Sequence, residues 1–131
     1  MGYESRFYAI KRYDFGYNDS AYHPCEVIAM LNMCKMGYGE TTSEFLKLFD
    51  TEAMIDLWLP GIDDDGNEIM MYQHEDKYGA SLNYITDIDE GIRLVHKMIS
   101  EDDYWRLPLL LKFLEMYNDP KKNIKIIHYG Y

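Results

Sequence analysis

The sequence predicts an α+β fold: one domain over residues 1–131, in which an antiparallel or mixed sheet of about four or five strands packs against a C-terminal helical pair. Three patterns lead there. Two helical periodicities follow one another between Thr86 and Tyr117, short alternating stretches stand at both ends and in the middle, and an Asp65-Gly66 step between apolar stretches signals a hairpin. A chain of 131 residues buries roughly two thirds of its unfolded surface, enough for one core without a metal or disulfide.

Tyr3 to Tyr13 alternates aromatic and charged residues without Gly or Pro, with Tyr3, Phe7 and Ala9 on one side and Glu4, Arg6 and Tyr8 on the other, as a first strand requires. Asp14 to Pro24 gathers Gly16, Asn18, Asp19 and Ser20, the chemistry of a loop, and carries Tyr17 and Tyr22 outward. Val27 to Met36 is apolar on both alternating faces, which suits a central strand covered on both sides; a helix competes, because Met, Leu and Ala tolerate either. Gly37 and Gly39 end it. Thr41, Thr42, Ser43 and Glu44 then offer a capping box for a short helix holding Phe45, Leu46, Leu48 and Phe49. Met54 to Leu59 and Glu68 to Gln73 read as paired strands joined through Pro60, Gly61 and the Asp63, Asp64, Asp65, Gly66, Asn67 run. Leu82 to Ile85 is a short extended piece.

The first long helix is expected to enter through Thr86 as its cap, with Ile88, Ile92, Val95 and Ile99 forming its inner face and Gly91 weakening it. In the second, Leu107, Leu110, Leu111 and Leu114 make one stripe. Leu109, Phe113 and Met116 widen that stripe until only Lys112 and Glu115 stay polar, so burial on most sides is expected, with Pro108 in the opening turn. Asn118, Asp119 and Pro120 stop the helical run, and Ile124 to Tyr129 alternates as a last strand.

Charge bounds the function. From Glu44 to Asp103 sixteen acidic residues face Lys47, Lys77, Arg93 and Lys97, a local charge of −12 within a total of −10. Such a surface repels phosphates and anionic lipid, disfavours direct nucleic-acid or membrane binding, and steers toward a basic partner; solubility alone is the plainer use of the same charge. The apolar runs are far short of the roughly 18–20 residues of a membrane span, and no basic-then-apolar leader opens the chain, so a cytoplasmic protein is expected. Cys25 and Cys34, if on one extended strand, lie roughly 30 Å apart and do not bond to each other.

No catalytic motif of any strength is present. With Gly66 at the sixth position of a calcium loop, the first position falls on Gly61 and the twelfth on Tyr72, so both obligatory oxygen donors are missing and an acidic hairpin tip is the better reading. His23, Cys25, Cys34 and His74 match no zinc spacing, so neither metal nor cofactor is expected. His96 shares a polar helix face with Arg93 and Lys97, whereas His128, among apolar neighbours, is expected to be a hydrogen-bonded residue in or near the core. Thirteen tyrosines exceed what one small core accommodates, which leaves two readings open: an exposed protein-binding surface of Tyr beside carboxylates, or a rim of half-buried Tyr around the sheet.

The opening Met1-Gly2-Tyr3-Glu4-Ser5-Arg6-Phe7-Tyr8, the Glu26-Val27-Ile28-Ala29-Met30 stretch with Met33-Cys34-Lys35, and the closing His128-Tyr129-Gly130-Tyr131 resemble small phage and prophage proteins of Gram-positive bacteria. The resemblance spans most of the chain and brings no catalytic residues with it. It implies the setting of anti-CRISPR and other anti-defence proteins, hence an inhibitor that binds a basic host protein such as a CRISPR nuclease, its carboxylates standing where phosphates bind. A small accessory enzyme or a structural phage protein is the alternative. The candidate contacts are Asp63, Asp64 and Asp65, Glu101, Asp102 and Asp103, and Tyr17 and Tyr22.

Overall fold

The structure, a computed structural model, describes residues 5–12, 23–36, 39–52, 55–62, 64–73, 83–119, 121 and 123–130. Among these stand seven strands and three helices, in the order β1 (Ser5–Arg12), β2 (His23–Cys34), α1 (Glu40–Leu46), β3 (Thr51–Glu52), β4 (Ile55–Ile62), β5 (Glu68–Gln73), β6 (Asn83–Tyr84), α2 (Ile88–Glu101), α3 (Leu107–Tyr117) and β7 (Ile124–Gly130). The strands lie side by side as β3-β6-β7-β1-β2-β4-β5. All neighbours are antiparallel except β2 and β4, which run parallel over two residue pairs, so the sheet is mixed. The α+β reading holds. The strand number exceeds the expected four or five because the two-residue β3 leaves no periodic signal and β6, within the expected extended piece Leu82–Ile85, joins the sheet as a two-residue strand.

Phe7, Ala9, Met33 and Ile126 point from the sheet into the core, where Phe45 and Phe49 from the α1 region, Leu94, Val95 and Met98 from α2, and Leu107, Leu110, Phe113 and Leu114 from α3 meet them. The rings of Phe7, Phe45 and Phe49 sit 5.5–5.9 Å apart in tilted and edge arrangements, the geometry aromatic rings prefer. On the opposite face of β1 and β7, Tyr8, Ile10 and Ile127 are buried as well. Strand β2 is central, as its composition implies, but it is not covered on both sides. A bulge between Ala9 and Ile10 shifts the register of β1 against β2, and Val27, Ile28 and Met30 remain exposed while Ala29, Leu31 and Met33 pack inward.

Several boundaries move. Helix α1 begins at Glu40 behind Gly39 without a side-chain cap, so the expected capping box does not form; Thr41 and Thr42 are buried against α2 instead. Helix α2 is capped by Asp87, whose side chain accepts from the Glu90 N–H at 3.0 Å, one residue after the expected Thr86, because Thr86 turns its hydroxyl to Asp50. The inner face of α2 is Gly91, Leu94, Val95 and Met98, rotated from the isoleucine stripe, and Ile88, Ile92 and Ile99 flank it half-buried. Gly91 is therefore a packing residue: a Cβ there would stand 2.8 Å from Ile85 Cδ1 and 3.4 Å from Phe45 Cε1. Helix α3 buries one face only, leaving Leu109 and Met116 exposed, which corrects the expectation of burial on most sides. Pro60 and Gly61 lie within β4, not in the loop, while Gly66 at φ +85° makes the expected hairpin turn. Cys25 and Cys34 share β2, which keeps their backbones far beyond disulfide reach.

Candidate protein-binding corner

The chain between α2 and α3 is held from below. Tyr104 donates its hydroxyl to the Met33 carbonyl at 2.7 Å, and the Arg106 guanidinium donates to the Asn32 carbonyl, so the turn between the helices is tied at two points to the end of the central strand. The strand end is itself fixed: Cys34 adopts φ +51° and gives its N–H to Asn32 Oδ1 at 2.8 Å, a local side-chain turn that compensates the unusual backbone. Burial raises the pKa of the Tyr104 hydroxyl, more strongly than Arg106 lowers it, so Tyr104 stays a neutral donor.

On this fixed corner Glu101, Asp102 and Asp103 are all exposed, and Trp105 follows them with 65% of its surface in solvent and the Arg106 guanidinium 4.7 Å from its ring centre. Glu101 is the last residue of α2 and Asp102 its C-cap. The Thr41 hydroxyl donates to Glu101 Oε2 at 2.9 Å, and Asp102 Oδ1 accepts from the Tyr104 N–H at 3.1 Å. Between them and α1 opens a cleft of about 230 Å³, lined by Met36, Thr41, Thr42, Met98, Leu107 and the two acids.

The other expected contacts lie elsewhere. Asp64 and Asp65 are exposed at the turn of the β4–β5 hairpin, on the sheet edge rather than the helical corner, and Asp63, Tyr17 and Tyr22 lie outside the described residues. Of the tyrosines whose side chains are described, Tyr8 is buried in the interior, and Tyr84, Tyr104, Tyr117 and Tyr129 are half-buried, as in a rim. The residues sequence reasoning missed are Trp105 and the two threonines. Trp105 carried a usable signal: an aromatic that falls between an acidic run and the start of an apolar stripe, outside both helical periodicities.

His128 is placed as expected. Its Nε2 lies 3.1 Å from Ser5 Oγ, and the rings of Phe7 and Phe49 stand 5.0 and 5.6 Å from the imidazole. Burial pulls its pKa down to about 4, so the ring is neutral at pH 7. A hydroxyl beside an imidazole has the spacing of a nucleophile and its base, yet Ser5 has no exposed surface, and a substrate has no approach to it in this packing. The pair satisfies two polar groups at the edge of the aromatic cluster.

Among the described residues no group of three or more His, Cys, Asp or Glu is arranged to hold a metal ion, and no helix is long and apolar enough to cross a membrane. Comparison with protein-family models, with curated proteins and with solved structures found no match.

Proposed function

We propose that this protein binds a basic partner protein through the α2–α3 corner and blocks it. The observation that supports the reading is the exposed Trp105 beside three carboxylates on a turn tied to the sheet by two hydrogen bonds. An exposed Trp is the costliest apolar side chain to leave in water and the commonest anchor of protein interfaces, and the acids supply steering without adding apolar surface. Because the corner is pinned before contact, little ordering entropy is lost on association. The resemblance to phage proteins makes a nucleic-acid enzyme of the host defence, a CRISPR nuclease first, the partner to test, with Glu101 to Asp103 occupying a groove built for phosphates.

The test is direct binding of the purified protein to purified CRISPR nucleases, with and without guide RNA and target DNA, at low and high salt. The expected result is an association rate that falls as the screening length shortens toward roughly 3 Å at 1 M salt, competition by DNA, and loss of at least about tenfold in affinity for Trp105→Ala. If a nuclease binds and Trp105→Ala and the Glu101→Gln/Asp102→Asn/Asp103→Asn triple variant both bind at wild-type strength, the corner is not the interface.

A further inference from the structure

Two clefts of similar size flank α2, and only one of them is lined by acids without a basic residue. At the N-terminal end a cleft of about 210 Å³ is lined by Asp87, Asp89, Asn118 and Lys125, but Asp87 caps the helix, Asn118 donates to Asp89 at 3.1 Å, and the Lys125 ammonium lies 5.0 Å from the centre of the Tyr84 ring. That cleft already has a cation of its own, Lys125, in its lining. At the C-terminal end, the roughly 230 Å³ cleft has a floor of Met36, Met98 and Leu107, each at most 4% exposed, a wall of Thr41 and Thr42, and a rim of Glu101 and Asp102.

We infer that this cleft receives a long cationic side chain, a lysine or arginine of the partner, with its alkyl stem over the Met36, Met98 and Leu107 floor and its charged head between Glu101 and Asp102. The inference rests on the proposed corner and names what enters it. The shape of the cleft carries it: apolar below, anionic above, which is the polarity of a lysine or arginine side chain from stem to tip. At about 30 Å³ for each water-sized group, the volume takes on the order of seven or eight non-hydrogen atoms, room for a lysine side chain of about five or an arginine side chain of about seven. The methionines suit a flexible stem because an unbranched thioether adapts to what it covers. The threonine wall orients the rim: Thr41 holds Oε2 of Glu101, and Asp102 has spent Oδ1 on the Tyr104 N–H, which leaves Glu101 Oε1 and Asp102 Oδ2 for the incoming donor. Both acids also sit at the negative pole of α2, with no basic residue in its last turn, so a cation there gains from the helix as well as from the carboxylates.

The experiment titrates n-butylguanidinium and n-butylammonium into the intact protein while following the methyl resonances of Met36, Met98, Thr41, Thr42 and Leu107. 1-Pentanol serves as the uncharged control. The expected result is saturable shifts of these methyls with one or both cations, with pentanol at least about tenfold weaker, and a loss of about tenfold or more in the Glu101→Gln/Asp102→Asn variant, the lower range for hydrogen bonds to charged groups. Absence of saturable shifts at tens of millimolar cation, or equal binding of pentanol, overturns the inference. An unchanged response in the double variant does so too. Since no partner protein enters this assay, a negative result removes the cleft and leaves the Trp105 corner to be judged by its own binding test.

Discussion

The two ends of α2 carry almost the same residues to opposite effect. At its start Asp87, Asp89 and Glu90 face the positive pole of the helix, and each has found a partner: the Glu90 N–H, Asn118 and Arg93 respectively. At its end Glu101, Asp102 and Asp103 crowd the negative pole, exposed and adjacent, and α3 beyond them opens on Arg106 without a side-chain cap. The first arrangement is what folding stability selects. The second works against the helix dipole, offset only by the bonds Glu101 accepts from Thr41 and Asp102 from the Tyr104 N–H, and it is the arrangement on which the proposed binding role rests.

The comparison can be broken or sharpened by four measurements. The largest expected effect is a background that must be removed before pH is used to compare the poles. The folded pKa of His128 lies at about 4, below its ordinary 6.5, so the unfolded chain binds a proton that the folded one refuses. Stability is then complete above pH 6.5 and falls as the pH drops toward 4, by up to about 3 kcal/mol. Urea melts across that window should show the slope in the wild type and a flatter one in His128→Leu. Next in size, Asp87→Ala at pH 7 should cost about 0.5–2 kcal/mol through the lost cap, measured by thermal unfolding. Opposite in sign and smaller, the Glu101→Gln/Asp102→Asn/Asp103→Asn variant should gain about 0.3–1 kcal/mol as repulsion and the unfavourable dipole contact are relieved; a loss of stability there would mean these acids serve the fold. Smallest, Trp105→Ala should change stability by no more than about 0.5 kcal/mol, since its ring is mostly in solvent.

The sequence made the long helices and the longer strands legible because their periodicity survives in residue order. Ile124 to Tyr129 and Leu107 to Leu114 needed only the period, and Asp65-Gly66 announced its turn. What stayed hidden depended on contacts between distant segments. Thr41 and Thr42 look like a cap in sequence and are buried because Glu101 and Met98 come down on them from α2. The inner face of α2 is rotated because Gly91 lets Ile85 and Phe45 approach the helix closely, an advantage that no hydrophobicity pattern scores. Glu101 to Asp103 were readable as a charge cluster, but the cleft beneath them was not, since Met36, Thr41, Met98 and Leu107 meet only in three dimensions.

The pairing of β1 with β7 reaches across the whole chain. Strand β1 lies between β2 and β7, with Ser5 opposite Gly130 and Lys11 opposite Ile124, so the centre of the sheet is made from segments at opposite ends of the described sequence. A contact order of that kind slows folding, because a long loop must close before its contacts repay the lost entropy. It also dictates timing on the ribosome: Phe7 and Ala9 have no neighbour on their β7 side until Ile124 to Gly130 emerges. A chain cut short before β7 therefore leaves β1 as an unpaired edge open to other strands.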